Sequence, residues 1–218
     1  MGVIKPGVLG NAKGKVGNLI FYEVNGQLRV RQCPGEVKNP RSPKQTAQRT
    51  RMKGIADLYG CFDWFIYYNW KSVTEGTTMN GYNLFMSCNI RNLDGNGEII
   101  DHSQLWVTKG DLLVPRWVKM EAGEGGKMLI TWDTAAGDTP LSENDRLQIA
   151  VHTIREDKSD EDIMVATETQ AERRTGRYEW TVPEQVGKAH VYGFFKGKYE
   201  DTASDSFYLG SLGMEMND

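Results

Sequence analysis

The 218-residue chain has few cysteines. Cys33, Cys61 and Cys88 are odd in number and fall at spacings that match no metal motif. They read as three ordinary thiols of a reducing compartment; one disulfide with a spare thiol would require an exported protein. No apolar run approaches the ~18 residues that a membrane helix needs. The first ten residues, Met1 to Gly10, lack the apolar core of a signal peptide. Gly2 follows Met1, yet Pro6 stands where N-myristoylation calls for Ser or Thr. These absences point to a protein without a membrane span, cytoplasmic or assembled in a particle.

Catalytic signatures are equally scarce. Gly10-Asn11-Ala12-Lys13-Gly14-Lys15 approaches a phosphate-binding loop but leaves three residues between the glycines instead of four. Val16 follows where a hydroxyl should hold Mg²⁺. His102, His152 and His190 are isolated in sequence, with no HExxH and no neighbouring ligands, so no two of them are expected to share a site. No GxSxG occurs, and no cysteine lies in a nucleophile motif. Glu156-Asp157 and Asp160-Glu161-Asp162 lack the glycine and the spacing of a calcium loop and read as a solvated hairpin loop. The expectation is a non-enzyme with no cofactor and no metal.

What the chain does have is an uneven charge distribution. Residues 1–71 hold 12 Lys and Arg against 4 Asp and Glu, a net of +8; residues 72–218 hold 14 against 25, a net of −11. A basic part followed by an acidic one suggests that the first meets something anionic: nucleic acid, an acidic protein, or the acidic part of another copy. The 24 glycines favour turns and β structure.

The pattern divides the chain at residues 98 and 99. Residues 1–18 are rich in glycine and lysine, carry no periodicity, and read as an extended arm or loop that orders only against another chain. Two β-forming runs, Leu19–Val24 and Gln27–Gln32, flank Asn25-Gly26, the strongest short hairpin signal. This register puts Tyr22 between Arg29 and Arg31 on one face and leaves the other mainly apolar. Ser42-Pro43 reads as N-cap and first helical residue. The apolar stripe Met52, Ile55, Tyr59, Phe62, Ile66, Trp70 predicts helix from Pro43 to about Val73, with a break near Gly60. So many rings in its second half (Phe62, Trp64, Phe65, Tyr67, Tyr68, Trp70) require either a covering layer or an interface. A second helix is predicted over Tyr82–Asn92.

From residue 99 short β runs alternate with turn clusters: Leu105–Val107, Val118–Glu121, Met128–Trp132, Leu147–Thr153, Ile163–Thr169, Tyr178–Val182, Ala189–Phe195 and Phe207–Leu209. With Trp132 in the position of a core tryptophan and no cysteine pair across the sheets, this predicts an all-β immunoglobulin-like sandwich, nearer fibronectin type III than an antibody domain. The fold class is therefore α+β in two parts: an arm, hairpin and helical module over residues 1–98, and an acidic β-sandwich over 99–218.

The interaction candidates all lie in the first part: Tyr22, Arg29 and Arg31 on the hairpin, then Arg41, Lys44, Arg49, Arg51 and Lys53 around the helix start. Guanidinium and ammonium groups neutralise phosphates, and a tyrosine between arginines can stack on a base. The same residues would also serve against an acidic protein surface.

Further residues carry a resemblance. Gly14-Lys15-Val16-Gly17-Asn18, the strand end Arg29-Val30-Arg31, Val37-Lys38-Asn39-Pro40 with Gln45, Gln48 and Arg49, Gly81-Tyr82-Asn83-Leu84-Phe85 with Asn89, Thr131-Trp132-Asp133, and Val191-Tyr192-Gly193-Phe194-Phe195 before Ser204-Asp205-Ser206 resemble a domain-of-unknown-function family of Bacteroidota and phage-associated proteins. The resemblance spans nearly the whole chain. It implies a helical module plus a fibronectin-like domain, a bacterial or phage origin and a structural or assembly role; it supplies no catalytic residues. Two readings follow. One is a structural or assembly protein, of a virion or another large particle, that binds neighbouring subunits through its basic arm. The other is a nucleic-acid-binding protein that uses the basic hairpin and helix start.

Overall fold

The computed structural model describes residues 2–3, 13–24, 26–35, 39–134, 142–154, 163–183, 188–197 and 202–213. The hairpin forms as its sequence demands. Strands β3 (Leu19–Val24) and β4 (Gln27–Gln32) pair antiparallel with Tyr22 opposite Arg29 and Phe21 opposite Val30. Gly26 has φ 74°, the left-handed value that a tight turn requires; Asn25 lies outside the described residues. The expectation of an arm without structure of its own is corrected at two places. Strand β1 (Gly2–Val3) adds to β4, and β2 (Gly14–Val16) adds to β3, so the hairpin becomes a four-stranded sheet in the order β1-β4-β3-β2. Glycine-rich runs give no alternation to read, yet backbone pairing needs none. The rest of the arm, residues 4–12, lies outside the described residues.

The predicted helix is two helices. In α1 (Pro43–Gly60) the hydroxyl of Ser42 accepts from the Gln45 amide, and the Gln45 side chain accepts from the Ser42 amide, a reciprocal capping box. The chain then turns, and α2 (Trp64–Val73) restarts at Asp63. One oxygen of the Asp63 carboxylate caps α2 at the Ile66 amide (3.0 Å). The other accepts the Ala166 amide (2.6 Å). A single side chain thus starts a helix and fastens it to a sheet edge. A third helix, α3 (Gly81–Asn89), is capped by Asn80. The predicted strand at Leu105–Val107 is not a strand. That segment is buried coil held by side chains: Asn89 accepts the Trp106 amide, Ser206 accepts the Val107 amide, and the Trp70 indole donates to the Val107 carbonyl.

The remaining strands follow the predicted runs: β5 (Val118–Ala122), β6 (Lys127–Trp132), β7 (Arg146–Thr153), β8 (Ile163–Glu172), β9 (Arg177–Thr181), β10 (Ala189–Lys196) and β11 (Phe207–Leu212). They form a three-stranded sheet β5-β6-β9 and a four-stranded sheet β11-β10-β7-β8, both antiparallel. Alternation along the central strands explains the packing. Leu147, Ile149, Val151, Ala189, Val191 and Phe195 face the three-stranded sheet and meet Ile130, Trp132 and Trp180. Ala150, Tyr192 and Phe194 face the other way and meet Ile55, Ile66, Trp70 and Phe85 of the helices. The molecule is mixed α and β, mostly β. The sheet β11-β10-β7-β8 is covered on both faces, and this is why β7 and β10 are buried along nearly their whole length. Each fully buried large side chain contributes roughly 1.5–3 kcal/mol.

Candidate functional site

The sequence-predicted interaction residues separate into two groups. On the hairpin sheet the Arg31 guanidinium lies 5.7 Å from the centroid of the Tyr22 ring, and Arg29 donates to Gln27 at 3.4 Å. Tyr22 and Arg29 are half-buried and Arg31 is exposed. Around α1, Arg41 is exposed with φ 49°, and Lys44 is exposed. Arg49 donates to Asn39 (2.7 Å), and Arg51 donates to the Asp94 carbonyl (3.1 Å). At about 100° per residue, Lys44 and Arg51 share one side of α1 while Arg49 and Lys53 share nearly the opposite side. The helix therefore does not present its cations as one stripe, and Arg51 is occupied in holding the 94–99 turn.

Lys53 belongs to a different feature. A cleft of about 940 Å³ opens between α1 and that turn, lined by Thr50, Lys53 and Asp57 on the helix, Glu98 on the turn, and His102 and His152. Its wall depends on a close approach. A side chain on Gly54 would place its Cβ 2.3 Å from the Gly97 carbonyl oxygen, so only glycine lets the helix touch the turn there.

The histidines correct the sequence reading most plainly. They were expected to be isolated, but all three meet. The ladder between β7 and β10 sets His152 opposite His190, and the turn after Asp101 lays His102 over them. The rings of His102 and His190 stack with centroids 3.4 Å apart and planes 9° from parallel; His102 and His152 are 5.8 Å apart. His152 and His190 are buried. Two tyrosines complete the cluster. Nδ1 of His190 lies within hydrogen-bond distance of the Tyr208 hydroxyl (2.8 Å), and Nδ1 of His102 lies 3.3 Å from the Tyr192 hydroxyl. Histidines far apart in sequence become neighbours only once the strand partner and register are known.

The surroundings set the protonation of this cluster. Burial, and then the neighbouring His152, push His190 down to about 4. Burial raises the Tyr192 hydroxyl, with Tyr208 and Asp101 adding to it, and burial likewise raises Tyr208. Hydrogen bonds from the Ser103 hydroxyl and amide hold Asp101 below the usual carboxylate range. Parallel stacked imidazoles direct their in-plane nitrogens side by side rather than toward one point, which is poor geometry for chelation. Among the described residues no group of three or more His, Cys, Asp or Glu side chains is arranged to hold a metal ion. Protonating His190 therefore carries a cost, chiefly because the charged ring would lie buried.

A second buried polar pair was not anticipated. Arg173 and Asp145 are 1% and 4% exposed, and their side chains approach to 3.3 Å. The guanidinium also donates to the Leu113 carbonyl and lies 3.9 Å from the Phe195 ring centroid. Burial lowers the arginine and raises the aspartate, each opposed by its partner. The pair sits at one end of the sheet stack, where the Trp132 indole donates to the Arg173 carbonyl, and reads as structural.

Among the described residues no helix is long and apolar enough to cross a membrane. No curated protein and no solved structure matches the chain. One family profile aligns with residues 11–210, so it takes in strands β2 to β4, the helical layer and all of the β part but the end of β11, and the chain belongs to that family of unknown function, DUF6266.

Proposed function

We propose that this is a non-catalytic structural or assembly protein whose basic N-terminal sheet docks on neighbouring subunits. One observation carries the reading: among the described residues, neither hydrophobic cluster contains one from the β1-β4-β3-β2 sheet. A small sheet outside the cores, with Val16 and Leu19 exposed on it, gains its burial from another molecule. The Tyr22, Arg29 and Arg31 face supplies the polar part of the contact, since a planar guanidinium pairs bidentately with carboxylates. The acidic residues that follow residue 71 in a sister copy would supply them.

We further propose that the β part is an immunoglobulin-like sandwich of fibronectin type III kind. In chain order its strands read A, B and E in one sheet and G, F, C and C′ in the other, with Trp132 at the end of the second strand. Such sandwiches serve as spacers and adhesion modules, which suits a component of a phage virion or other large particle.

The test is size-exclusion chromatography with light scattering across a salt series, on the wild type and on Arg29→Glu/Arg31→Glu. Concentration-dependent oligomers in the wild type, lost in the double variant with an unchanged circular dichroism spectrum, support assembly. A wild type that stays monomeric at high concentration, and binds DNA through the hairpin with a steep salt dependence, would replace this reading with the nucleic-acid one.

A further inference from the structure

The outer face of α2 carries rings that the core does not use. Trp64, Tyr67 and Tyr68 stand at i, i+3 and i+4 and are 71%, 45% and 50% exposed, while Ile66, Asn69 and Trp70 take the buried side. Trp64 meets Tyr68 edge-on with centroids 5.0 Å apart, and Tyr68 meets Tyr67 at 5.8 Å. Tyr67 continues to Tyr59 of α1 at 5.8 Å. Single exposed aromatics need no explanation; a continuous file of rings does.

The file is bordered by cations. The Lys71 ammonium lies 5.4 Å from the centroid of Tyr68. A second ammonium, from Lys196, lies 4.6 Å from the centroid of Phe65, the ring next to Trp64. Two carboxylates on the adjoining elements are engaged, Asp63 by the amides of Ile66 and Ala166 and Glu168 by Arg146, while Glu75 lies exposed past the end of α2. Rings edged by ammonium groups match a ligand that is both flat-faced and anionic. A neutral saccharide asks for amides and carboxylates at the ring edge. A helix lying in a lipid surface buries a broad apolar face, whereas the apolar residues Ile66 and Trp70 of α2 are turned into the core.

We propose that the outer face of α2, with Trp64, Tyr67 and Tyr68 as stacking platforms and Lys71 at their margin, binds single-stranded nucleic acid. Bases stack on the exposed rings and phosphates lie against the bordering charge, a mode that tolerates any sequence because every base has a flat face. Duplex is disfavoured, since its bases already stack on one another. This surface is distinct from the hairpin face and does not depend on the assembly reading.

The experiment is fluorescence anisotropy on the full chain, titrated against a labelled oligothymidylate, a matched duplex, and vesicles of phosphatidylcholine and phosphatidylserine. The wild type should bind the single strand and prefer it to duplex. Trp64→Ala/Tyr68→Ala should weaken binding at least about tenfold, as expected for loss of one or two stacked bases. Lys71→Gln should make the salt dependence shallower, and Arg29→Glu/Arg31→Glu should bind like wild type. Should the double alanine variant lose its near-UV circular dichroism, Tyr68→Glu replaces it, setting a like charge among the phosphates at a half-exposed position. The proposal is overturned if the wild type does not bind the single strand, if the α2 variants bind as well as wild type, if the hairpin variant alone loses binding, or if vesicles are bound and the oligonucleotide is not.

Discussion

Acid should destabilise this protein well before its carboxylates titrate, and His190 should be responsible. The folded state holds His190 at about 4, while an unfolded histidine titrates near its ordinary 6.5. Between these values the unfolded chain binds more protons than the folded one. Stability is therefore complete above about pH 6.5, falls as pH drops from there toward about 4, and levels off below, as far as this group is concerned. The groups facing it come from several elements: His102 on the turn after Asp101, His152 on β7, and Tyr208 on β11. The two pKa values differ by about 2.5 units, which gives a full linkage of about 3 kcal/mol. Between about pH 7.5 and about pH 5 the loss is about 2 kcal/mol. The assay is urea unfolding followed by tryptophan fluorescence at several pH values across this range. His190→Gln keeps a hydrogen-bonding group beside the Tyr208 hydroxyl but cannot take up a proton, so its stability should change little over the same interval. If wild-type stability is flat down to about pH 5, or if the slope persists undiminished in the glutamine variant, burial of His190 is not the source of the acid sensitivity.

Other substitutions have equally definite outcomes. Asp145→Ala should cost about 3–5 kcal/mol in denaturant unfolding, because it strands a buried guanidinium, and Arg173→Met should cost less because the remaining aspartate can take a proton. Asn89→Leu should cost about 1–3 kcal/mol, since the part-buried amide of Trp106 loses its acceptor while the branched shape of the side chain is kept. Gly54→Ala should lower the melting temperature by forcing α1 away from Gly97, seen in a thermal scan beside the neutral control Ala56→Ser on the exposed side of the helix. Residues 99–218 expressed alone should bind the dye ANS and lack sharp near-UV circular dichroism, because one face of the four-stranded sheet is then uncovered.

How far these features were legible depends on whether they are local. The hairpin, the Ser42 cap and the strand runs are set by neighbours in sequence, and each emerged close to its expected bounds. The break between α1 and α2 had a local cause too, in Asp63, whose second role on the Ala166 amide no sequence window contains. Leu105–Val107 looked like a strand because it is apolar and buried. What satisfies its backbone is side chains brought from residues 70, 89 and 206. The histidine cluster and the Asp145–Arg173 pair were illegible for the same reason. Each joins residues whose proximity follows from strand partners and register, and nothing near His102, His152 or His190 in sequence announces the others.

The helical layer and the β part share a core, and that bears on what the N-terminal sheet is for. Phe194 and Phe195 are adjacent in β10 and point into opposite layers, one stacked on Phe65 at 5.7 Å and the other against Trp132 at 5.8 Å. Through such residues the three helices and both sheets of the β part share their packing, and among the described residues neither of their clusters includes a side chain from β1 to β4. Selection for folding alone would let the first 32 residues degenerate into a tail. They instead hold a paired register with a buried Phe21, a tyrosine set under an arginine and two added edge strands. A sheet that the core does not need fits the contact role proposed for it. The cations on α1 divide between its two sides, so the contact is better sought on the flat face of Tyr22, Arg29 and Arg31 than along the helix. Charge reversal at Arg29 and Arg31 should therefore change association far more than the same reversal at Lys44 and Arg49. Equal effects at both pairs, measured by light scattering at low and high salt, would return the interface to a diffuse electrostatic one.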